Sequence, residues 1–389
     1  MPTSHKIFIK IFLKYGRGIL LGIPEKIKAI EEEIHKTQIN KATEFHIGIL
    51  KAKIARLKRE MEENRHGRTV ASGGENTGFD VRKAGDASVV LIGLPSVGKS
   101  TLLNSLTNAN SEVASYHFTT LTAIPGMMEC FGAKIQVLDL PGIVEGAAKG
   151  RGFGKRVLSV ARNADLILLV LDVFQLKHVK ILEKELGEVG IRTNQRIPEV
   201  LVEKTHSGGL SVQTQVPMKM SISLAKEILR IHGVHNGRLI IREPNLTDEQ
   251  LIDVLSGNTL YLQSLKVINK IDLVDKRFIK GLVSTVGGDF VPISADKNMN
   301  IEFLKRAIYR KLDFIRIFLK PRGGEADYEE PLILKRGCII SDVCDKIHRN
   351  FIKDFRYAYV WGKSVKFDGQ KVGVDHKLAD NDILTIVKR

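Results

Sequence analysis

The chain has 389 residues, of which 43% are hydrophobic, so it carries enough apolar material for about two to four folded domains and is not a disordered chain. Its three cysteines are Cys130, Cys338 and Cys344, and they are too scattered for a disulfide framework or a metal site, so reduced thiols are expected. The formal net charge of +16 favours a polyanionic partner such as RNA, with a merely solvated basic surface as the alternative.

Residues 1–22 are predicted to form an extra basic arm. Residues 6–21 mix bulky apolar side chains with lysines and arginine and contain no acidic residue, a composition that a targeting peptide or a membrane-lying helix also has. Lys10 and Lys14 interrupt the apolar runs, and this excludes a membrane-spanning segment here.

Residues 23–66 are predicted to form a helical hairpin. Pro24 suits a first helical turn, and apolar residues recur at helical spacing as far as Asn64. The pattern fits one long helix or two helices bent near residues 37–40. Its apolar stripe cannot be buried alone, so we expect it to pack on the nucleotide-binding domain or a partner, or to lie on RNA. Residues 67–86 form a polar, glycine-rich linker.

A phosphate-binding loop follows the linker. Residues 88–92 have the length and β-branched content of a buried parallel strand, and residues 101–106 are apolar at helical spacing. Between them lies the pattern G-x-x-x-x-G-K-[ST]. The residues expected to contact the nucleotide here are Gly93, Leu94, Pro95, Ser96, Val97, Gly98, Lys99, Ser100 and Thr101. Backbone N–H groups would surround a phosphate, Lys99 would reach the terminal phosphates and Ser100 would bind Mg²⁺.

The next apolar strand ends at Asp139, whose carboxylate suits the coordination shell of Mg²⁺. It is followed by a further group of predicted nucleotide contacts, namely Leu140, Pro141, Gly142 and Ile143. The backbone N–H of Gly142 is expected to reach the γ-phosphate.

Two segments are candidate switches. Thr119, Thr120 and Thr122 each offer a hydroxyl that would coordinate Mg²⁺ only when the γ-phosphate is present, and the pattern alone does not rank them. Residues 146–156 are rich in glycine and basic side chains, which indicates either a second switch or a plain flexible loop.

Two later segments indicate the base. Asn269, Lys270 and Asp272 form the pattern N-K-x-D after an apolar strand, and the Asp272 carboxylate can accept hydrogen bonds from the ring N–H and the exocyclic amine of guanine, a donor pair that adenine lacks. Ser294 and Ala295 follow the next strand, where their backbone is expected to close over the guanine carbonyl. Helix caps and turns use the same residue types, but the carboxyl ends of successive strands form one ligand-binding edge.

The predicted fold class is α/β with four parts, of which the N-terminal helical hairpin is the first. A nucleotide-binding core at residues 87–173 and 258–313 is split by residues 174–257, a stretch too long for a loop and therefore an inserted small α/β domain, with a helix that begins at a capping box formed by Thr247 and Gln250. Residues 314–389 have the element order of a β-grasp domain and resemble a TGS domain, with a helix expected to be capped by Ser341.

Aromatic residues stand beside lysines in this last domain. Tyr357, Tyr359 and Trp361 precede Lys363 and Lys366, and such interleaving is a signal of nucleic-acid binding. Packing of a strand on the core explains the same aromatic residues equally simply.

The motifs together resemble those of the Obg-like GTPases and most closely the developmentally regulated GTP-binding (DRG) family, from about Gly22 to the C-terminus. The resemblance rests on Gly-x-Pro-Ser-Val-Gly-Lys-Ser, Phe-Thr-Thr-Leu, Asp-Leu-Pro-Gly-Ile-Val-Glu-Gly-Ala and Asn-Lys-Ile-Asp. It implies that Thr120 is the Mg²⁺-binding threonine, so the metal ligands are Ser100, Thr120 and Asp139 and the catalytic set is Lys99, Thr120 and Gly142.

The resemblance also implies slow GTP hydrolysis, a cytoplasmic role at translating ribosomes and a zinc-finger regulatory partner. Ile143 stands where Ras has a glutamine that orients water, which agrees with slow turnover. Some relatives use an asparagine at the position of Ser96 to coordinate K⁺, and the serine leaves K⁺ an open second cofactor. The favoured hypothesis is a GTP-dependent switch that engages ribosomes or RNA. The alternatives are a nucleotide-gated scaffold and a ribosome-assembly or RNA-chaperone factor.

Overall fold

The computed structural model describes residues 22–38, 40–70, 84–107, 124–139, 160–275, 277–279, 281, 290–348 and 351–388, for residues 62–70 and 124 the backbone alone. The helices are α1 Ile23–Lys36, α2 Glu44–Val70, α3 Lys99–Leu106, α4 His178–Glu188, α5 Ile222–Ile231, α6 Asp248–Ser256, α7 Ile301–Lys311 and α8 Ile340–Ile347. The basic arm before Gly22 and both candidate switch segments lie outside the described residues.

The strands belong to three sheets. They are β1 Ala87–Ile92, β2 Ile124–Cys130, β3 Ala133–Asp139, β4 Leu166–Asp172, β5 Ile191–Thr193, β6 Val200–Lys204, β7 Leu210–Thr214, β8 Gly237–Ile241, β9 Leu260–Asn269, β10 Phe290–Pro292, β11 Phe314–Leu319, β12 Leu332–Lys335, β13 Phe355–Trp361, β14 Gln370–Val372 and β15 Asp382–Lys388.

A seven-stranded sheet dominates the larger of two compact units, which spans Asn76–Gln195 and Leu260–Arg389. Its strand order is β10-β9-β4-β1-β3-β2, with β5 also paired to β9, and only the β2–β3 pair is antiparallel. Every residue of β1 is buried, as is β4 from Leu166 to Leu171, because both are continuous apolar runs. Strands buried on both faces are typical of a parallel sheet covered by helices, and the predicted α/β class is confirmed.

The same unit ends in a five-stranded sheet of order β12-β11-β15-β13-β14, in which β11 and β15 are parallel. Helix α8 covers one face, where Ile340, Val343 and Cys344 join Ile315 and Ile317 in a small core. The predicted serine cap is wrong. The helix begins at Ile340, and the Ile339 N–H donates to Asp342 Oδ2 at 2.9 Å, so an aspartate in the first turn does the capping.

The aromatic residues of β13 lie on the face opposite to α8. They alternate with Ala358 and Val360, which are fully buried in the core, and Tyr357, Tyr359 and Trp361 are only half-buried. Lys371 Nζ lies 4.0 Å from the centre of the Tyr357 ring, and Lys320 Nζ lies 4.8 Å from that of Trp361. The lysines over these two rings therefore lie on β14 and just after β11, and not in the segment after β13 that the sequence pattern indicated.

The second unit spans Met1–Glu75 and Arg196–Thr259 and contains a three-stranded sheet of order β6-β8-β7 with helices α5 and α6. The predicted capping box at the start of α6 is confirmed, with the Gln250 N–H donating to Thr247 Oγ1 at 3.3 Å and the Thr247 N–H donating to Gln250 Oε1 at 3.0 Å. These elements lie within residues 196–259, whereas α4 and β5, which the predicted insert at residues 174–257 also includes, belong to the larger unit.

The N-terminal helices form a hairpin, so the two-helix alternative is correct, although α2 continues to Val70. Within this unit, α2 lies against α5 and α6 of the insert, a surface that the sequence did not indicate. Ala52 is fully buried with Leu224, and a side chain at Gly48 would lie 2.9 Å from the same leucine. Lys51 Nζ adds an ion pair to Glu249 at 2.7 Å. Within the described ranges, no helix is long and apolar enough to cross a membrane.

Candidate nucleotide-binding site

The predicted site residues that the structure describes meet at the carboxyl edge of the seven-stranded sheet. Strands β1, β3, β4, β9 and β10 are parallel, and the register pairs Leu91 with Asp139 and Asp172 with Asn269. The loops that follow these strands therefore open at one edge, which is where open α/β sheets bind ligands.

The loop after β1 has the backbone of a phosphate cradle and needs both its glycines. A Cβ at Gly93 would lie 2.5 Å from the carbonyl oxygen of Val170, and Gly98 has φ +88° and would place a Cβ 2.4 Å from Asn269 Nδ2. Ser96 also has a positive φ, +63°. Leu94 and Val97 are buried, whereas Pro95, Ser96, Ser100 and Thr101 are exposed. The curled backbone leads directly into α3, whose N-terminus favours an anion.

Lys99 is held inside this loop. Its side chain is almost entirely buried, at 7% exposure, and its Nζ donates to the carbonyl oxygens of Gly93 at 3.0 Å and Leu94 at 2.9 Å. Burial lowers the pKa of Lys99, and the charge of Asp139 acts in the opposite direction. The ammonium is thus a desolvated cation with neutral partners, a setting in which a phosphate gains a strong electrostatic contact.

Asp139 and Ser100 lie together beside the phosphate-binding loop and are the residues predicted to hold a metal. Ser100 Oγ donates to Asp139 Oδ2 at 2.9 Å, while Asp139 Oδ1 is buried and has no hydrogen-bond partner among the residues that the structure describes. A buried carboxylate oxygen without a partner costs free energy, and one or two protein oxygens plus phosphates are the usual ligands of Mg²⁺. These two residues therefore fit the metal predicted for them. Thr120 and residues 140–143 lie outside the described residues.

Asn269 connects the phosphate loop to the loop after β10. Its Nδ2 donates to the Val97 carbonyl at 2.9 Å, and its Oδ1 accepts from the N–H of Ala295 at 3.0 Å and of Lys270 at 2.8 Å. Ser294 is fully buried, and its Oγ accepts from the N–H of Lys297 at 3.1 Å. The amide of Asn269 thereby positions both loops.

The predicted base-reading residue is accessible. Asp272 lies on the short 3-10 helix Ile271–Leu273 and is exposed, so a base can reach its carboxylate. Lys270, just before it, has a left-handed backbone at φ +68°. Its Nζ bonds to Asp172 Oδ2 at 2.7 Å.

Three family models match the chain in succession. Residues 88–204 match a model described as 50S ribosome-binding GTPase, residues 207–314 match the C-terminal region of the MMR_HSR1 domain, and residues 315–388 match the TGS domain.

Relatives align over nearly the whole chain. The Developmentally-regulated GTP-binding protein 1 homolog of Dictyostelium discoideum is 45% identical over 375 residues, covering 95% of this chain and 100% of the relative. The chain belongs to the DRG family. Developmentally-regulated GTP-binding protein 1 of Xenopus laevis is 44% identical over 371 residues, 95% and 100% of the two chains. An uncharacterized GTP-binding protein of Methanocaldococcus jannaschii is 51% identical over 374 residues, 95% and 94% of the two chains.

Membership of the DRG family confirms three predictions. The resemblance is correct, the core is a P-loop GTPase domain and the C-terminal domain is a TGS domain. The chain is accordingly a GTP-binding protein of a GTPase family.

Two side chains of this DRG-family site were missed by the sequence motifs. Asp172 ends β4 and holds Lys270, and an aspartate at the end of a central strand is the signal that singled out Asp139. Ser105 on α3 donates from its Oγ to the carbonyl oxygen of Ala295 at 2.8 Å and so ties the loop after β10 to the phosphate-binding helix. No local pattern distinguishes Ser105 from any other helix serine.

Proposed function

We propose that this DRG-family chain is a Mg²⁺-dependent GTP switch in the cytoplasm that hydrolyses GTP slowly and engages ribosomes. The observation that carries the proposal is the pair of buried charges at the phosphate loop. Lys99 holds a desolvated ammonium, and Asp139 holds a buried carboxylate oxygen with no hydrogen-bond partner within the described part of the chain. A Mg²⁺–GTP complex would supply an anion for the first and a cation for the second.

Each residue has a distinct task in this proposal. Lys99 binds the terminal phosphates, and Ser100 and Asp139 hold the metal together with Thr120. When bound there, Mg²⁺ would supply positive charge to offset the charge that develops on the transferred phosphoryl group. Gly142 gives its N–H to the γ-phosphate. Ile143 has no hydrogen-bonding side chain with which to orient water, so hydrolysis is slow.

Asp139→Asn tests the metal site. We expect GTP affinity measured with Mg²⁺ to fall by about 10- to 100-fold, because an amide is a weaker Mg²⁺ ligand than a carboxylate, while affinity measured in EDTA does not fall. The asparagine keeps an acceptor for Ser100 Oγ, so the local hydrogen bond survives. Nucleotide titrations with and without Mg²⁺ measure both values. Asp296→Asn, at an exposed aspartate, is the control. An unchanged response to Mg²⁺ in Asp139→Asn contradicts the assignment.

Charge and surface chemistry support engagement of ribosomal RNA. The net charge is +16, and the open face of the TGS domain carries Tyr357, Tyr359 and Trp361 with lysines over two of the rings. Aromatic rings and cations are the groups with which proteins bind unpaired RNA. The match to a 50S ribosome-binding GTPase model points the same way. A zinc-finger regulatory protein is proposed as a further partner, on the resemblance alone.

Co-sedimentation with ribosomes tests the switch itself. We expect association to differ between GTP, GDP and no nucleotide, because a segment that acts as a switch changes its order when the γ-phosphate is present. Equal association in all three states contradicts a switch.

Negligible GTP turnover even with ribosomes and the zinc-finger protein present favours the scaffold alternative. RNA crosslinking across a polysome profile separates translating ribosomes from assembly intermediates, and crosslinks confined to intermediates favour the assembly-factor alternative.

A further inference from the structure

An ion pair joins the carboxyl ends of two neighbouring strands, β4 and β9, close in sequence to the predicted base-reading residue Asp272. Lys270 Nζ lies 2.7 Å from Asp172 Oδ2, and the two side chains are 35% and 12% exposed. Asp172 ends β4, and its register partner Asn269 ends β9. The lysine side chain therefore reaches from the segment that carries Asp272 across to the adjacent strand.

Both partners are fixed independently of each other. The second oxygen of Asp172, Oδ1, accepts from the N–H of Phe174 at 2.9 Å, which orients the carboxylate. Lys270 has a left-handed backbone, and its N–H donates to Asn269 Oδ1 at 2.8 Å. A carboxylate with one partner on each oxygen has little rotational freedom, so it defines where the ammonium lies.

We propose that Asp172 is a positioning residue for the nucleobase, which holds Lys270 so that its methylene stem forms one wall of the guanine site. The inference rests on the proposed reading of guanine by Asp272, two residues after Lys270. A base that covers Lys270 removes water from its ammonium, and a charge that loses water without a partner is costly. Asp172 replaces that water before the nucleotide arrives.

The ion pair makes its contribution at the base alone. Because Asp172 neutralises the ammonium of Lys270, this lysine does not attract the phosphates of the nucleotide. Loss of Asp172 should therefore weaken GMP, GDP and GTP by the same factor. Loss of Lys99 should instead weaken the nucleotides more as their phosphates increase.

A second ion pair on the same strand provides a matched control. Lys266 Nζ lies 3.1 Å from Glu183 Oε1, with side-chain exposures of 15% and 38%, and joins β9 to α4. Lys266 lies three positions before the end of β9. Glu183→Gln therefore removes one charge of a comparable ion pair that does not lie at the carboxyl edge of the sheet.

The experiment compares Asp172→Asn with Glu183→Gln by titration with GMP, GDP and GTP. Asparagine keeps the shape of Asp172 and an acceptor for the Phe174 N–H. We expect an equal loss of about 5- to 20-fold for the three nucleotides in Asp172→Asn, and wild-type affinity in Glu183→Gln. A loss that grows with the number of phosphates, or no loss, overturns the proposal.

Lys270→Met completes the test from the other partner, since it removes the ammonium and keeps an aliphatic stem. Adding Asp172→Asn to Lys270→Met should cause no further loss, because the two changes remove one interaction. A further loss of the same size overturns the proposal.

If Asp172→Asn does not fold, Lys270→Met alone should lower the affinities for GMP, GDP and GTP by the same factor, and wild-type affinity in Lys270→Met overturns the proposal. If Asp272→Asn shifts the base preference while Asp172→Asn keeps wild-type nucleotide affinity, the inference about Asp172 is refuted and the proposed guanine site stands. If Asp272→Asn does not shift the base preference, the proposed position of the guanine itself is refuted.

Discussion

Replacing Lys99 by alanine is expected to lower the affinity for GTP and GDP by at least about 100-fold, or roughly 3 kcal/mol. The ammonium is buried, its bonds within the described residues go to the neutral carbonyl oxygens of Gly93 and Leu94, and burial lowers its pKa. A bound phosphate would compensate the desolvated charge. The binding free energy lost in the variant would then be that of a charge-assisted hydrogen bond in a poorly solvated site.

Titration with a fluorescent GDP analogue measures the loss, and thermal unfolding checks that the variant remains folded. Lys297→Ala is the control, because Lys297 is an exposed lysine of the same unit, paired with its neighbour Asp296 at 3.3 Å. An affinity for GDP within threefold of the wild type in Lys99→Ala would show that the loop does not bind the phosphates through this lysine. The same variant should also lose any nucleotide dependence of ribosome association.

The phosphate-binding loop could be predicted because its backbone conformation depends on residues that are consecutive in the sequence. The positive φ at Gly98 and the close approach of Gly93 to Val170 are the backbone features that the glycine pattern indicates. Asp139 and Ser100 could be predicted to meet because parallel strands end at one edge.

Contacts between distant parts of the chain could not be predicted in the same way. The Lys270–Asp172 bond joins residues 98 positions apart, and the bond from Asn269 to Val97 joins residues 172 apart. No periodicity or motif pairs such residues, because the pairing depends on which strands are neighbours in the sheet. The motif predicted that Asn269 contacts the nucleotide, and it gave no indication of the bonds from its amide to two loops of the protein.

For the N-terminal helices, the sequence predicted the elements but not the surface of the insert on which α2 packs. The apolar stripe predicted the hairpin and its need for a partner surface, but a stripe does not specify which surface covers it. Gly48 and Ala52 are the small residues that let α2 approach Leu224 on α5. The signal for close helix packing was in the sequence, but it became informative only with the fold of the insert.

Asp272→Asn is expected to change which base the protein prefers. Guanine presents two donors, the ring N–H and the exocyclic amine, and the exposed carboxylate of Asp272 can accept from both. The asparagine amide offers one acceptor and one donor, so one guanine donor meets the amide NH₂ group. We expect GTP affinity to fall on the order of 100-fold, since a site built for two hydrogen bonds then leaves polar groups unpaired.

Xanthine has a carbonyl where guanine has the amine, so its ring N–H and carbonyl match the acceptor and donor of an asparagine. The affinity for xanthosine triphosphate should therefore rise as that for GTP falls, and competition between the two nucleotides measures the ratio directly. Asp275→Asn, at an exposed aspartate three residues further along, is the matched control and should retain guanine preference. A general loss of folding or of phosphate binding weakens both nucleotides together, so a reversed ratio is specific to the base. An Asp272→Asn variant with wild-type GTP affinity would place the base elsewhere.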